Sequence, residues 1–218
     1  MFDFAQARVT MVESQIRTNR VWDEELIAAF REVPRERFVP SDKRSVAYVD
    51  EDLPLGNGRY LMEAMVLARL LQAAAPGPGD IALDVGCGSG YATAILARLC
   101  ATVVGLECDP ALAKRAIEIL SETDVMNAEV VEGPLGAGHP RQGPYNVILL
   151  NGAVAELPKA LTDQLADGGR LVTVVRSERA MGRATLTRRI GDVVSSRTLF
   201  DAATPLLPGF AREPSFVF

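Results

Sequence analysis

Residues 84–90 read DVGCGSG, between the apolar run IALDV (81–85) and the stretch YATAILARL (91–99). The aliphatic run predicts a strand, and the apolar spacing after Tyr91 predicts a helix. Three glycines within residues 86–90 let the backbone between them approach a partner closely, and the helix start beyond offers unpaired N–H groups. A strand, a glycine turn and a helix in this order predict a binding loop for a polar group. The spacing narrows the choice. Gly86, Gly88 and Gly90 give G-x-G-x-G, whereas the dinucleotide fingerprint sets its third glycine three residues after the second. No Gly-Lys-Ser/Thr follows, which excludes a Walker loop.

Downstream, apolar runs alternate with helical ones. TVVGLE (102–107) precedes PALAKRAIEILSE (110–122), AEVVEG (128–133) precedes a loop, and YNVILLNG (145–152) precedes the helical pattern AELPKALTDQL (155–165), after which comes RLVTVV (170–175). This alternation predicts the α/β class, a doubly wound and mostly parallel sheet covered on both faces. RATLTRRI (183–190) and VVSSRTLF (193–200) alternate in polarity around Gly191-Asp192, so they are expected as an antiparallel C-terminal hairpin at the sheet edge. Upstream, Val9, Val12 and Ile16, then Leu26, Ile27, Phe30 and Val33, fall near helical spacing, and Asp23 is placed to cap the second segment. VPSDKRSVAYVDEDLPLGNG (39–58) carries turn formers and little periodicity, so it reads as an ordered loop leading to a helix over about 61–74. We therefore expect one domain over 1–218, with a helical N-terminal extension over 1–75 and the sheet core over 76–218.

Hydrophobic residues at 48% and charged residues at 23% are ordinary for a soluble globular chain and argue against disorder. The net charge of -5 argues against nucleic acid as a general partner, because a phosphate-tracking surface needs clustered Lys and Arg. Arg183, Arg188 and Arg189 form the best basic cluster and read equally well as a solvated strand face. Cys87, Cys100 and Cys108 form no C-x-x-C pair and have only His139 to join them, so no metal is expected. His139 reads as a surface loop residue, and the cysteine usage suits a reduced, cytoplasmic interior. The most apolar stretch, MVLARLLQAAAPG (65–77), contains Arg69 and ends too soon to span a bilayer, so no membrane contact is expected.

Glu107 comes about 20 residues after the loop, the offset at which a carboxylate reaches ribose hydroxyls. It can also be read as a turn residue capping with Asp109. Taken together, LDVGCGSGYATAILA (83–97), VVGLECDPALAKRA (103–116) and LADGGRLVTVV (165–175) resemble the S-adenosylmethionine-dependent methyltransferases of the Rossmann-like type. That resemblance implies S-adenosylmethionine as cofactor. It sets Asp84 near the methionine amino end, Gly86, Cys87, Gly88 and Gly90 against the cofactor, and Glu107 with Cys108 on the ribose. Gly133 lies in the turn that meets the adenine, and Asn151, where LLNGAV (149–154) replaces the usual small-residue turn after the fourth core strand, offers an amide to the cofactor.

Further upstream, MVESQI (11–16), VPRERFVP (33–40) and AYVDEDLPLGNG (47–58), with AELPKALTDQLADGGRLV (155–172), resemble the protein-L-isoaspartate O-methyltransferases over roughly residues 9–175. By this resemblance the core over 76–218 binds the cofactor and the loop within 1–75 meets the acceptor. The partners implied are isoaspartyl-containing peptides and damaged proteins, whose misplaced carboxylate is methylated without a metal. A carboxylate is already a nucleophile at neutral pH, so such an enzyme mainly aligns it for in-line attack.

The chain departs from that family's pattern in several places. Where the family has a stretch like G-Q-T-I-S, with hydroxyls beside the acceptor carboxylate, this chain reads GRYLMEAM (58–65). Arg59, Tyr60 and Met62 thus become the candidate catalytic residues: Tyr60 offers a hydroxyl, Arg59 a bidentate fork for a carboxylate, and Met62 an apolar group that would crowd or desolvate it. After the third core strand, EGPLGAG (132–138) puts Pro134 where an acidic adenine-binding residue is usual, and ATPLLPGF (203–210) keeps only a trace of the family's closing segment. One reading is an isoaspartyl methyltransferase. The other is a non-catalytic or retargeted member that binds S-adenosylmethionine but has lost isoaspartyl transfer. A dehydrogenase fits less well, given the glycine spacing and the want of a proton-transfer histidine. Oligomeric state is not legible in the sequence.

Overall fold

The computed structural model describes residues 2–176 and 180–211. Helix α1 (Phe4–Met11) starts where the Asp3 carboxylate accepts a hydrogen bond from the Gln6 N–H at 3.0 Å, and it runs on through one π turn, Val12–Ile16. Helix α2 (Glu24–Glu32) is capped by Asp23, as its position in the sequence suggested, with the Leu26 N–H donating to Oδ1 at 3.0 Å. Two short 3-10 turns, Arg35–Arg37 and Ser41–Val46, lead to α3 (Ala64–Ala74). Between them the expected loop contains a small antiparallel hairpin, β1 (Leu53–Gly56) with β2 (Arg59–Leu61). Its turn rests on Asn57 (φ 49°) and Gly58 (φ 71°), an Asn-Gly pair suited to left-handed backbone. That signal was present in the sequence, but flanking strands this short carry too little alternation to stand out.

The core runs β3 (Ile81–Val85), α4 (Tyr91–Leu99), β4 (Thr102–Glu107), α5 (Pro110–Glu122), β5 (Ala128–Glu132), β6 (Tyr145–Val154), α6 (Lys159–Thr162), β7 (Leu165–Val175), β8 (Gly182–Ile190) and β9 (Val193–Ala202). These form one seven-stranded sheet in the order β5-β4-β3-β6-β7-β8-β9, in which β3 to β7 are parallel and β8 and β9 are antiparallel. The expected α/β class, parallel core and C-terminal edge hairpin are all present. Strand order reverses at β3, between β4 and β6, so a crevice opens at the carboxyl ends of these strands.

The helix expected over residues 155–165 shrinks to the single turn α6. Its last residues are drawn into the sheet instead: Leu165 pairs with Tyr145, whose N–H donates to the Gln164 carbonyl at 2.8 Å. This leaves one sheet face thinly covered. The first face packs Ala82, Val147, Leu149 and Val172 under α2, α3 and α4, with Phe30, Leu67 and Tyr91 among the largest buried groups. The second face, with Val85, Leu106, Ile148 and Leu150, is closed by Leu161, Leu135 and two residues beyond β9, Leu207 and Phe210. The segment that carries them is tied to β6, since the Ala153 N–H donates to the Pro205 carbonyl and the Leu207 N–H to the Ala153 carbonyl, each at 2.8 Å. Among the described residues, no helix is long and apolar enough to cross a membrane.

Phe30 is fully buried and meets the Tyr91 ring edge-on, with centroids 6.2 Å apart. Phe30→Ala is expected to cost about 3–5 kcal/mol in urea unfolding. A loss below about 1 kcal/mol would show that the N-terminal helices do not share the sheet's core.

Candidate active site

Glu107 ends β4 inside the crevice, fully buried, beneath the loop that Gly86 to Gly90 form between β3 and α4. Its Oε2 accepts from the Gly88 N–H at 2.6 Å, and its Oε1 accepts from the N–H groups of Cys108 at 2.8 Å and Asp109 at 3.1 Å. The Arg59 guanidinium completes the shell, donating from Nη2 to Oε2 at 2.9 Å and from Nε to Oε1 at 3.3 Å. Burial pushes the Glu107 carboxyl up, but Arg59 and the backbone donors outweigh it and hold the group below its ordinary value. Glu107 is thus an ionised buried carboxylate with every oxygen engaged. Arg59 itself is 3% exposed and also donates to the Gly86 carbonyl at 2.7 Å. Gly86 turns with φ +76°, and a Cβ there would lie 2.9 Å from Arg59 Nη2.

Asp84, at the end of β3, behaves in the opposite way. Burial raises its carboxyl to about 7; the Thr93 hydroxyl, donating to Oδ2 at 2.7 Å, and the Asn151 amide oppose the rise, while Oδ1 makes no full hydrogen bond. The neighbouring charge of Glu107 adds to the increase and that of Arg59 offsets it. Cys87 is buried below the loop, where desolvation raises its thiol well above the ordinary value, and Cys108 is exposed with Sγ 3.4 Å from Glu107 Oε1. Gly133 donates to the Glu107 carbonyl at 3.0 Å and leads into Pro134. Asp84, Gly86, Gly88, Glu107 and Asn151 therefore lie close together, while Gly90 starts α4 with its open side against Ala116 and Leu120.

The three candidate catalytic residues separate by role once placed. β2 points Arg59 inward to Glu107, leaves Tyr60 37% exposed, and buries Met62 just beyond its end. Arg59 sits on the carboxylate expected to hold the ribose, so its fork is already spent. The Met62 carbonyl accepts from Nη2 of the fully buried Arg35 at 2.9 Å, and Arg35 also donates to the Ala47 carbonyl at 2.8 Å while lying 5.0 Å from the Tyr91 ring centroid. Arg35 thereby fixes the base of the hairpin to the core, a role that nothing in its sequence context revealed. Beside Met62, the Asp52 carboxylate accepts from the Glu63 N–H at 2.8 Å. Burial, together with the charges of Asp50 and Asp52, raises the Glu63 carboxyl to about 7.

The Glu107 carboxylate, the backbone amides and the glycine turn are the right kinds of group for a nucleoside, but Leu207 and Leu55 lie close over the glycines. A Cβ on Gly86 would lie 2.8 Å from Leu207 Cδ2, one on Gly152 would lie 2.7 Å from the same side chain, and one on Gly88 would lie 2.9 Å from Leu55 Cδ1. The cleft lined by Asp52, Arg59, Tyr60, Met62, Asn151 and Thr204 encloses about 10 Å³, roughly enough for one water. As arranged, Leu207 and Leu55 lie against the glycines of the site, and a nucleoside can occupy that space only once they shift. Leu207 and Leu55, like Arg35, were missed by sequence reasoning because an isolated leucine carries no sign of what it covers.

The family profile described as Protein-L-isoaspartate(D-aspartate) O-methyltransferase (PCMT) matches residues 6–201. The chain belongs to this family. Its members use S-adenosylmethionine. A protein-L-isoaspartate O-methyltransferase of Methanoculleus marisnigri is 40% identical over 186 residues, covering 85% of this chain and 84% of its own. One from Roseiflexus sp. is 37% identical over 210 residues, covering 96% and 95%. Among solved structures, a protein-L-isoaspartate O-methyltransferase superposes with a TM-score of 0.82 at 22% identity, over 94% of this chain and 67% of the other. A Plasmodium falciparum beta-aspartate methyltransferase in complex with S-adenosyl-L-homocysteine superposes with a TM-score of 0.78 at 20% identity, over 91% and 96%. These two structures establish the fold, and the sequence matches establish the family.

The raised Asp84 carboxyl sets a pH dependence. A group whose folded value, about 7, lies above its ordinary 3.8 costs stability once ionised, so this contribution worsens as pH rises from about 4 through 7. Relative to the native chain, Asp84→Asn is expected to gain stability between pH 5 and pH 8 in urea titrations. A difference that stays constant with pH would mean that Asp84 does not titrate in this range.

Proposed function

We propose that this chain is an S-adenosylmethionine-dependent O-methyltransferase that esterifies the carboxylate of isoaspartyl residues in damaged peptides and proteins. The observation that carries the reading is the family match across residues 6–201, which takes in the glycine loop, Glu107 and the hairpin together. The cofactor side is assigned to Asp84, Gly86, Cys87, Gly88, Gly90, Glu107, Cys108, Gly133 and Asn151. Tyr60, the exposed residue of β2, is assigned to the acceptor side, and the buried Met62 to the wall behind it. Arg59 acts on Glu107 rather than on the acceptor in this assignment. The methyl group comes from the cofactor when it is bound, and this chain's contribution is to orient the acceptor carboxylate and exclude water.

We place the reaction in the cytoplasm, consistent with three free cysteines. We also assign residues 1–218 to a single domain, because one buried cluster runs from Met11 to Ala202. A single unfolding transition, seen alike by Trp22 fluorescence and far-UV dichroism, checks the domain assignment.

The function is tested by transfer of labelled methyl from S-adenosylmethionine to a short isoaspartyl peptide. Base-labile label is expected on that peptide and not on its aspartyl counterpart; no selective label from folded protein would sink the reading. Glu63 adds a pH signature. Its carboxyl, raised to about 7, is neutral below that pH and adds a negative charge beside Asp52 above it, while the acceptor carboxylate stays ionised throughout. Transfer is expected to decline from pH 6 to pH 8, and Glu63→Gln should flatten that limb of the profile. An unchanged limb in the variant would remove Glu63 from the acceptor approach.

A further inference from the structure

We infer that Arg59 and Leu207 form a plug built into the chain, holding the cofactor crevice shut until a ligand displaces them. The inference rests on the function proposed above, since it concerns the same site. A ribose diol bound to Glu107 would donate two hydrogen bonds, one to each carboxylate oxygen or both to one. Arg59 already donates to both oxygens, at 2.9 and 3.3 Å, and the remaining directions are used by the N–H groups of Gly88, Cys108 and Asp109. Its guanidinium fork thus mimics the diol in position and donor count while adding a full charge.

Leu207 supplies the apolar half of the plug. Its side chain lies over both Gly86 and Gly152, where a Cβ would come within 2.8 and 2.7 Å of it, so the faces that glycine leaves bare are covered by the chain itself. The two halves come from opposite ends of the sequence. Arg59 is carried by the β1–β2 hairpin, whose tip is tied to the loop after β4 by the Asn57 amide donating to Asp109 Oδ2 at 2.7 Å. Leu207 is carried by the segment after β9, held to β6 by the two Ala153 hydrogen bonds and by the Ala155 N–H donating to the Phe210 carbonyl at 3.1 Å. Each attachment is short and local. Each carrier also lends side chains to the core, Leu53 and Leu61 from the hairpin and Leu207 and Phe210 from beyond β9, so opening is a local displacement of those groups that leaves β3, β4 and β6 paired with one another.

An intrinsic plug lowers apparent affinity by the fraction of molecules in which it is open. Removing either half should therefore tighten binding without a new contact to the ligand. The test is calorimetric titration of S-adenosyl-L-homocysteine into the full chain, Arg59→Gln and Leu207→Ala, with folding of each variant checked by dichroism. Arg59→Gln keeps a hydrogen-bond donor but leaves a buried carboxylate without its cation, so Leu207→Ala provides an independent arm that preserves the ion pair. Each variant is expected to bind at least tenfold more tightly than the native chain. Native binding as tight as that of both folded variants would overturn the plug and leave the methyltransferase reading standing. No binding by any of the three would overturn the plug and the cofactor assignment together. A gain in only one variant would confine the plug to that side chain and overturn the two-part form.

Discussion

A single buried carboxylate organises this molecule. Glu107 lies at the end of a central strand with no exposure, and a charge in that position survives only if its lone pairs are filled. The chain fills them from three directions: the glycine loop above, the turn after β4, and a guanidinium from a hairpin almost fifty residues upstream. Removing one partner of such a pair typically costs about 3–5 kcal/mol, because the other is left charged in a low-dielectric site. The position of the hairpin, and the inward turn of β2, follow from that requirement.

Asp84 shows how closely environment controls ionisation here. It is an acidic side chain on the neighbouring strand of the same crevice, yet its carboxyl is raised to about 7 while that of Glu107 is lowered. Glu107 has a cation and three backbone N–H donors; Asp84 has one hydroxyl at hydrogen-bond distance and feels its charged neighbour. Burial does most to raise Asp84, the charge of Glu107 adds a smaller push, and the cation sits with the partner that has more hydrogen-bond donors. The crevice therefore carries one firm negative charge and one that depends on pH.

The second sheet face explains why the chain beyond β9 reaches the crevice at all. With α6 reduced to one turn, Leu83, Val85, Ile148 and Leu150 would face water over much of their surface. Leu207 and Phe210 complete that cover, and the same apolar cover brings Leu207 onto Gly86 and Gly152. Core completion and crevice occupancy are thus one event. A segment with only a trace of family pattern acquires its place from the shortage of a helix earlier in the chain.

By itself the sequence determined the parallel core, the edge hairpin, the loop from Asp84 to Gly90, and Glu107 as its acidic neighbour. Those features rest on local periodicity and short fixed spacings, which a chain carries wherever it folds. It also marked GRYLMEAM as the place where the family pattern breaks. What Arg59 does there was decided only in three dimensions. A guanidinium at residue 59 can serve an acceptor carboxylate or Glu107 equally well as chemistry, and the choice depends on which way a three-residue strand turns. Arg35 beneath Met62 and Leu207 over the glycines belong to the same class. Arg35 reaches carbonyls 12 and 27 residues on, Leu207 reaches glycines much farther back, and only packing, which no local pattern encodes, brings them together.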